Sequence, residues 1–304
     1  GHIIKLPKKG DLGDCGNWRG IQLLSLPSKI LTRLMLERLK EGVDTRLREE
    51  QAGFRAGRSC TDQIATLRII IEQSVEWQSP LYVNFVDFKK AFDMVDRQTI
   101  WKILRHYGVP QKMVNIIKSL YQDTTCQVVH NSELSAPFNV RSGVRQGCLL
   151  SPMIFSLVID WVMRRTVDKP RGIQWTLMSK LEDLDFADDI GLLSHTHQHM
   201  QEKTERLSVT AKSTGLEINV NKTKSIRMQT DKEDPITLNG QGLEEVENFT
   251  YLGSVVSKKG GTEEDIKSRI TKARHAFVSL KPVWRSKNIR LKTKLRLFNS
   301  NVKT

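Results

Sequence analysis

The sequence predicts an α+β fold, because short apolar strands that end in carboxylates occur among segments with the helical period. Residues 81–86 form an apolar run that ends at Asp87, and residues 184–193 hold two apolar runs separated by Asp188 and Asp189. The first run predicts a buried strand, and the second predicts a hairpin with both acids at its tip. Two such strands can lie side by side in one sheet, although they are far apart in the sequence.

The paired acids impose a chemical requirement on that sheet. Asp188 and Asp189 repel each other, so a buried pair needs a cation or a raised pKa. Carboxylate oxygens are the ligands that Mg²⁺ prefers. A solvated turn would explain an isolated Asp-Asp pair, but the second acid-ended strand at Asp87 favours a shared site. Two-metal phosphoryl transfer needs a carboxylate cluster of this kind, with the metals about 3.5–4 Å apart.

The composition is globular and strongly basic. With 304 residues, the chain can form two or three subdomains around one sizeable core. The net charge of +14 and the pI of about 9.7 predict a polyanionic partner. Residues 266–304 hold twelve Lys or Arg and no acid, which accounts for most of the excess.

Other composition signals exclude several classes of protein. The four cysteines are scattered without metal-ligand spacing, so reduced thiols are expected. Nothing resembles a signal peptide or a membrane span, so we expect no membrane partner. The chain begins with Gly1 rather than Met, and we expect it to be a fragment of a longer protein.

The first eighty residues predict an irregular segment and two helices joined by a basic loop. Residues 1–20 are basic and glycine-rich, and we expect them to be irregular. Helical spacing of apolar residues covers 27–48, which opens with a proline, and also 64–75. Between them, Arg55 and Arg58 alternate with glycines in a loop suited to approach a phosphate. A solvated turn is the alternative for either arginine alone.

The middle of the chain predicts helices, a hairpin and a loop that contacts a nucleotide. Residues 97–121 are predicted to form two short helices, and residues 124–141 a hairpin with its turn near Asn131-Ser132. The loop that follows carries Gln146 and Gly147 beside Arg145, all suited to contact a nucleotide.

A long apolar helix follows that loop. Ser151 is a plausible N-cap, and Pro152 suits the first helical turn. Apolar residues within 153–162 are predicted to form its buried face. A capping loop without a function is the alternative explanation for the residues before it.

Three histidines, His195, His197 and His199, follow the acidic hairpin. They raise the question of a metal site, but they lie where a strand gives way to a polar helix, so exposed histidines are the simpler interpretation. The rest of the chain predicts a hairpin and two basic helices, at 249–256, 263–280 and 289–302.

With these blocks in order, the chain resembles the reverse transcriptases of non-LTR (LINE-type) retrotransposons, most of all the RTE-like group. Any one block is weak, but seven in the right order and spacing are highly specific. The blocks are Asn17-Trp18-Arg19-Gly20-Ile21, Gly53-Phe54-Arg55-Ala56-Gly57-Arg58-Ser59, Val86-Asp87-Phe88-Lys89-Lys90-Ala91-Phe92-Asp93, Gly143-Val144-Arg145-Gln146-Gly147-Cys148, Phe186-Ala187-Asp188-Asp189, Gly215-Leu216 with Asn221-Lys222-Thr223, and Tyr251-Leu252-Gly253.

The resemblance implies a right-hand polymerase. Its palm would be an antiparallel sheet packed on helices, flanked by fingers and a partial helical thumb. The fingers would cover residues 1–80, and the palm would cover residues 81–245, with a fingers insertion near 120–145. Residues 246–262 would form a primer-grip hairpin, and residues 263–304 the partial thumb.

The resemblance also implies catalytic roles for four residues. Asp87 and Asp188 look like the main metal ligands, with Asp189 beside them, for two Mg²⁺ ions, with Mn²⁺ as an alternative ion. Lys222 looks like a proton donor to the departing pyrophosphate.

The remaining roles implied by the resemblance concern substrate binding. Arg55 and Arg58 look like the residues that hold the incoming triphosphate, and Gln146 and Gly147 look like the nucleotide and template contact. Tyr251, Leu252 and Gly253 look like the primer grip.

The activity implied is RNA-directed DNA synthesis, with an RNA template, a DNA primer and dNTPs as partners. Family members usually carry an endonuclease domain upstream, so we expect one in the full-length protein. An intracellular location, in a cytoplasmic ribonucleoprotein and in the nucleus, is expected from the family. One departure is Phe186, where many relatives have Tyr; the ring is kept and one hydroxyl is lost.

Two alternatives remain open. An inactive retroelement remnant would only bind nucleic acid, although all the expected motif residues are present. An RNA-directed RNA polymerase could use the same palm, but Phe92 lies five residues after Asp87, where the family's bulky aromatic blocks the ribose 2′-hydroxyl. A buried hydroxyl without a partner costs about 1–3 kcal/mol before any clash is counted. Alternatively, Phe92 simply fills the core beneath the sheet.

Overall fold

The computed structural model describes residues 1–8, 10–122, 124–231 and 234–303, and it confirms the mixed α+β class. The segments predicted as fingers, palm and thumb include positions 9, 123, 232, 233 and 304, which lie outside the described residues.

The helices range from one turn to five turns. They are α1 (Leu26–Asp44), α2 (Cys60–Glu76), α3 (Ala91–Met94), α4 (Arg97–His106), α5 (Gln111–Tyr121), α6 (Ser151–Thr166), α7 (His197–Lys212), α8 (Glu263–Ser279), α9 (Lys281–Arg285) and α10 (Leu291–Asn301).

The strands are short. They are β1 (His2–Pro7), β2 (Trp18–Leu23), β3 (Leu81–Val86), β4 (Thr125–His130), β5 (Glu133–Leu134), β6 (Phe138–Asn139), β7 (Ile173–Gln174), β8 (Lys180–Leu181), β9 (Asp183–Phe186), β10 (Asp189–Ser194), β11 (Lys224–Met228), β12 (Thr237–Leu238), β13 (Gln241–Gly242), β14 (Glu244–Glu245), β15 (Asn248–Tyr251) and β16 (Ser254–Ser257).

A five-stranded central sheet in the order β14-β11-β3-β10-β9 holds both acid-ended segments. Strand β3 runs antiparallel to β10 and β11, and β10 runs antiparallel to β9. The register places Val86 opposite Ile190. The two acid-bearing strands are therefore neighbours in one sheet, as the sequence predicted.

Both faces of the central sheet are covered, which explains why every residue of β3 is buried. On one face, Tyr82 and Val86 join the core formed with α4 and α6, and Asn84 donates a hydrogen bond to Thr204 of α7. On the other face, Val83 and Phe85 join a core formed with α2 and the β15–β16 hairpin. Alternate side chains of one strand thus serve two cores.

The N-terminal segment corrects one prediction, because residues 2–7 and 18–20, which were expected to be irregular, lie in strands. Strand β1 pairs antiparallel with β2 and parallel with β4, and β4 also pairs with β5 and β6. The turn between β4 and β5 contains Asn131 and Ser132, as predicted, and both residues have a positive φ. Strand β1 is stabilised by hydrogen bonds to β4, which lies far away in the sequence. The composition of residues 1–20 therefore does not predict this strand. This sheet joins segments 1–80 and 120–145, while the predicted domain limits stay predictions.

Two helix boundaries differ from the predicted ones. Helix α1 ends at Asp44, because the chain then turns inward to bury Arg48. Helix α6 has Leu150 rather than Ser151 as its N-cap, and the Ser151 hydroxyl donates instead to the carbonyl of Arg145 at 2.7 Å. Pro152 lies in the first turn, as predicted. Within the described ranges, no helix is long and apolar enough to cross a membrane.

Candidate active site

The acidic hairpin forms as predicted, with Asp188 in a two-residue turn and Asp189 as the first residue of β10. Ala187, the other turn residue, has a φ of +58°. Asp87 directly follows β3, whose last residue pairs with the second residue of β10. The three acids therefore lie together at one end of the central sheet.

The electrostatics of this cluster favour a bound cation. Burial raises the pKa of Asp87, against the opposing charges of Lys222 and Lys8. Burial raises the pKa of Asp188, and the charge of Asp87 adds to it. Partial desolvation of its carboxyl and then the charges of Asp188 and Asp87 raise the pKa of Asp189 to about 6, although much of this residue stays exposed to solvent. The positive charges that the protein itself supplies therefore do not balance the negative charge of the three ionised carboxylates.

An unpaired acceptor supports the same conclusion. Oδ2 of Asp87 is buried and accepts no hydrogen bond from the residues that the structure describes. Buried polar atoms normally have a partner, and a metal ion would supply one here. Among the described residues, no group of three or more His, Cys, Asp or Glu side chains is placed to hold a metal ion by itself. A few carboxylates completed by substrate phosphates are, however, the arrangement that Mg²⁺ usually takes.

The loop before β11 fixes the end of β3. The backbone N–H of Asn219 donates to the carbonyl of Asp87 at 2.8 Å, and the N–H of Asp87 donates to Oγ1 of Thr223 at 3.3 Å. Lys222 lies exposed in the turn between these two contacts, and its charge opposes the rise in the pKa of Asp87 that burial causes. The role of Lys222 as a proton donor stays a prediction.

Two further cations near the acids were missed by the sequence analysis. Lys8 follows β1, and its charge acts on Asp87, while Arg19 of β2 acts on Asp188. Both belong to the β1–β2 hairpin, which was predicted to be irregular. Arg19 lies in a block that the resemblance did contain, but no spacing rule links either cation to acids so far along the chain.

Phe92 lies in α3, at the turn where the chain leaves β3. Its ring stacks on Phe155 of α6, with the ring centroids 4.1 Å apart, and the residue is half-buried. The ring is thus fixed from below by the core while part of it stays accessible. Both sequence interpretations, a gate and a core residue, agree with this position.

The loop before α6 is held between α3 and β2. Gln146 donates through Nε2 to Oδ1 of Asp93 at 2.8 Å, and its carbonyl accepts from the N–H of Gln22 at 2.7 Å. Gly147 has a φ of +112°, and a Cβ there would lie 2.4 Å from the Gln22 carbonyl oxygen. Gly147 is therefore required for the close approach of two backbones.

Comparison with known proteins decides the family. A sequence model described as reverse transcriptase (RNA-dependent DNA polymerase) matches residues 6–256. The chain belongs to this reverse transcriptase family. Polymerases of the family use divalent metal ions. A second family, described as a domain of unknown function, matches residues 276–304.

Similar proteins come from transposable elements. The chain is 30% identical over 226 residues to the transposon TX1 uncharacterized 149 kDa protein of Xenopus laevis, covering 73% of this chain and 17% of that protein. It is 26% identical to a Pol polyprotein from an R2 retrotransposable element of Nasonia vitripennis, covering 92% and 28%. It is 28% identical to a probable RNA-directed DNA polymerase from transposon BS of Drosophila melanogaster, covering 80% and 28%. The chain thus spans less than a third of each relative.

These relatives confirm the predicted resemblance to non-LTR retrotransposon reverse transcriptases, whereas the RTE-like subgroup stays a prediction. The structure is similar to telomerase from Candida tropicalis in complex with a fragment of telomeric RNA, with a TM-score of 0.57, 14% identity, and coverage of 92% of this chain and 48% of that one. It is also similar to apo telomerase of the same organism, with a TM-score of 0.56, 14% identity, and coverage of 86% and 54%. The right-hand polymerase fold is thereby confirmed.

In this chain, Arg55 and Arg58 have different environments. The Arg55 guanidinium bonds Asp44 at 2.7 Å and the carbonyls of Arg48 and Gln51 at 2.6 and 3.0 Å. Its donors are occupied by the protein, so the structure argues against the predicted triphosphate contact of Arg55. Arg58 is exposed, and no ion pair forms at it within the described part of the chain. Arg58 alone of the two stays available to a phosphate.

Beneath the acidic hairpin lies a buried charge network that the sequence analysis missed. Arg48 donates to Asp183 at 2.5 and 2.9 Å and to Asp185 at 2.6 Å, and its backbone N–H donates to Asp160 at 2.7 Å. Although burial opposes it, Arg48 holds the pKa of Asp183 below its ordinary value. Burial and then the charge of Asp183 raise the pKa of Asp185 well above its ordinary value. This network supports the hairpin from below.

The predicted primer-grip residues lie at the tip of the β15–β16 hairpin. Tyr251 is buried, and its hydroxyl donates to the carbonyl of Leu184 in β9 at 3.0 Å. Leu252 and Gly253 form the turn, with φ of +49° and +87°. The hairpin tip is thereby fixed to the strand that leads into the acidic turn.

The three histidines have separate local roles. Nδ1 of His195 lies 2.8 Å from the carbonyl oxygen of Pro80. His197 packs edge-on against Tyr82, with the ring centroids 6.0 Å apart. His199 lies in the first turn of α7, where its N–H bonds the Thr196 cap. The three residues therefore lie in different local environments, and all three are half-buried rather than exposed as predicted.

Proposed function

We propose that this chain is the polymerase part of a non-LTR retrotransposon protein and synthesises DNA on an RNA template. The observation that carries the proposal is the acid cluster, in which Asp87 has a buried unpaired oxygen and Asp188 and Asp189 have raised pKa values. This arrangement occurs in a chain of the reverse transcriptase family, and two-metal phosphoryl transfer uses carboxylates of this kind.

Asp87 and Asp188 would hold two Mg²⁺ ions, or Mn²⁺ in their place, with Asp189 adding negative charge beside them. The bound ions would activate the attacking oxygen and neutralise charge on the leaving phosphate. The primer 3′-hydroxyl would attack the α-phosphate of the dNTP, forming one phosphodiester bond and releasing pyrophosphate. Lys222 would supply a proton to that pyrophosphate.

The triphosphate would be received by cations on the fingers side. Lys8 and Arg19 are supported by their electrostatic interaction with the acids, and Arg58 by its exposed guanidinium. An arginine is suited to phosphate because its planar donors can form paired bonds and its charge persists. Gln146 and Gly147 would contact the nucleotide and the template.

The nucleic acid would lie across the central sheet. Residues 1–80 with 120–145 would form the fingers, and residues 81–245 the palm. Tyr251, Leu252 and Gly253 would position the primer, and the basic segment 263–304 would act as a partial thumb. The RNA template, the DNA primer and the upstream endonuclease domain of the full-length protein are all parts of this proposal.

The central experiment is primer extension on an RNA template with Mg²⁺ and dNTPs. Asp188→Asn should lower the rate by about 10³-fold or more, since several kcal/mol of charge stabilisation are lost. Template–primer binding should stay within about twofold of the starting protein. Asp168→Asn is the matched control, because that acid pairs with Arg206 on the surface and should leave the rate unchanged. Binding without any extension by the unaltered chain would instead identify an inactive remnant.

Nucleotide choice tests the RNA polymerase alternative. Phe92→Val should gain rNTP incorporation relative to dNTP incorporation, because the half-buried ring is removed from beneath the sugar. An equal loss of both activities would show that the ring only packs against Phe155. Efficient rNTP use by the unaltered chain would favour an RNA polymerase.

A further inference from the structure

Gln51 holds the turn that carries the catalytic acids. This side chain is completely buried in the segment between α1 and α2. Its Oε1 accepts hydrogen bonds from the N–H of Ala187 and the N–H of Gly53, both at 2.8 Å, and its Nε2 donates to the carbonyl of Ala187 at 3.3 Å. One amide therefore satisfies both backbone polar groups of the residue before Asp188.

The turn at Ala187 is one that needs such support. Its φ of +58° lies in the left-handed region, which residues with a Cβ rarely adopt. Conformations of this kind persist when the surrounding structure determines them, and they cluster at functional sites. Because Asp188 follows directly, a change in the peptide planes of Ala187 would redirect its carboxylate.

The backbone around Gln51 follows the outer strand of the same hairpin. The N–H of Ala52 donates to the carbonyl of Asp185 at 2.8 Å, and the N–H of Asp185 donates to the carbonyl of Glu50 at 3.3 Å. A Cβ on Gly53 would lie 2.2 Å from the backbone nitrogen of Ala187, so the two segments are in direct contact. Residues 50–53 thus pack directly against β9 and the turn.

Residues 50–53 lead directly into the loop that carries Arg58, which is predicted to bind phosphate. Two residues after Gly53, Arg55 fixes the chain to Asp44 and to the carbonyl of Arg48. The exposed Arg58 follows in that loop. Gln51 therefore joins a fingers loop to the catalytic turn through side-chain contacts that are buried from water.

We infer that Gln51 is a positioning residue for nucleotidyl transfer, which fixes the Ala187 turn so that Asp188 points toward the reacting phosphates. The inference rests on the proposed polymerase function and deepens it. Because Gln51 would act through the Ala187 turn and not on the substrates themselves, its removal should change the chemical step more than the binding of either substrate.

Three variants separate positioning from packing. Gln51→Met keeps the length of the side chain and removes the amide, whereas Gln51→Glu keeps the oxygen that accepts from Ala187 and Gly53. Gln63→Met is the matched control: Gln63 is also buried, and its Nε2 donates to the carbonyl of Glu50 at 3.1 Å without touching the turn. For each variant we would measure kcat and dNTP KM on an RNA template–primer, the template–primer Kd, and the melting temperature.

We expect Gln51→Met to lower kcat on the order of 10- to 100-fold, because misplacements of about 1 Å cost that much. Its dNTP KM and template–primer Kd should stay within twofold, roughly the scatter of such measurements. Gln51→Glu should keep more of kcat than Gln51→Met but less than the unaltered chain, because it loses the donor to the Ala187 carbonyl. Gln63→Met should behave like the unaltered chain. If Gln51→Met does not fold, Gln51→Glu compared with Gln63→Met still decides, since a kcat of Gln51→Glu equal to that of Gln63→Met would overturn the inference.

Several outcomes would contradict the inference while leaving the polymerase function intact. An unchanged kcat in Gln51→Met, or equal losses of kcat and melting temperature in Gln51→Met and Gln63→Met, would reduce Gln51 to a core residue. A rise in dNTP KM at constant kcat would make it a substrate contact. Failure of the unaltered chain to extend a primer would contradict the proposed function itself, which is a distinct result.

Discussion

Helices α6 and α8 have nearly the same length but are held in place in opposite ways. In α6, twelve of sixteen residues are buried, most of them apolar and within the core beneath the central sheet. In α8, all of whose residues are described, Asp265 alone is buried out of seventeen. Apolar burial is distributed over the whole of α6, whereas the buried residue of α8 is one polar side chain near the start of the helix.

That contact is a hub made by the Asp265 carboxylate. It accepts hydrogen bonds from Arg68 of α2 at 2.9 Å, from the N–H of Val255 at 2.8 Å and from Arg269 at 2.8 Å. The comparison teaches that the central sheet and α6 share a dense core, while the buried attachment of α8, in the predicted thumb, is the polar side chain of Asp265. Elements with few buried apolar contacts open most easily.

The largest expected difference is in global stability. Leu157→Ala in α6, at a residue with 0% exposure, should lower the free energy of unfolding by about 2–5 kcal/mol, because a cavity forms in a packed core. Ile270→Ala in α8, at 47% exposure, should change it by less than about 0.5 kcal/mol. Urea denaturation of both variants checks this. Equal losses would mean that α8 is as much a part of the core as α6.

The second expected effect is local. Asp265→Ala should destabilise α8 by about 1–3 kcal/mol, because the N–H of Val255 and the Arg68 guanidinium lose their acceptor. Hydrogen exchange of the α8 amides should accelerate while that of α6 stays constant. Glu264→Ala is the control, since that exposed acid in the same turn pairs only loosely with Lys267, at 3.4 Å. Faster exchange in both helices would indicate that Asp265 supports the whole fold.

A third effect distinguishes the two regions by charge. Replacing Lys272, Lys287 and Lys292 by Gln should weaken template–primer binding and flatten its salt dependence, by about 0.7–0.9 in log–log slope for each phosphate that is no longer neutralised. The matched triple at Lys102, Lys112 and Lys118, on α4 and α5, removes the same charge and should leave the slope unchanged. All six lysines are exposed. Filter binding between low and moderate salt measures both slopes. Equal flattening would move the phosphate-binding surface away from the C-terminal helices.

The smallest effect concerns two carboxyls with opposite pKa shifts. The pKa of Asp189 is raised to about 6 in the folded protein, above an unfolded value of about 3.9. The folded protein then binds more protons over this range, so the free energy of unfolding falls as pH rises from about 4 to 6. In EDTA, Asp189→Asn should not show this fall. The free energy of unfolding of the variant, relative to that of the unaltered chain, should rise from about pH 4 to 6 and stay constant above that range.

Asp265 provides the opposite case. Although its burial acts the other way, hydrogen bonds from Arg269, Val255 and Ser254 lower its pKa to about 2. Its contribution is present above the unfolded pKa of about 3.9 and is lost as pH falls toward 2. Denaturation of Asp265→Asn over the same pH series should therefore differ from the unaltered chain at pH 5 and converge with it at pH 2. Parallel pH profiles for the Asp189 and Asp265 variants would contradict the assignment of opposite shifts.

The sequence predicted the central sheet well because its signals are local. An apolar run that ends at Asp87 and a tight hairpin around Asp188 and Asp189 need no distant information to be recognised. The β1–β2 hairpin was missed because β1 is also stabilised by pairing with β4, and no periodicity within residues 1–20 predicts that pairing.

The contacts made by individual side chains were harder to predict, for a similar reason. Arg55 carries the donors that a phosphate needs, but its partners are Asp44 and two carbonyls that local folding brings together. A sequence shows which groups a side chain can bind, but it does not show which acceptors the fold places within hydrogen-bond distance of that side chain. The same holds for Gln51, whose partner Ala187 lies on another element of the fold.

The Arg48 network has a practical consequence for dividing this protein. Its guanidinium comes from the segment predicted as fingers, yet the carboxylates it neutralises, Asp183 and Asp185, belong to the palm strand β9. A palm fragment starting at residue 81 would contain these two acids without their counter-charge, and removing one partner of a buried ion pair costs about 3–5 kcal/mol. Expression libraries and domain swaps should therefore cut elsewhere, because the first eighty residues and the strands after them form one inseparable folding unit.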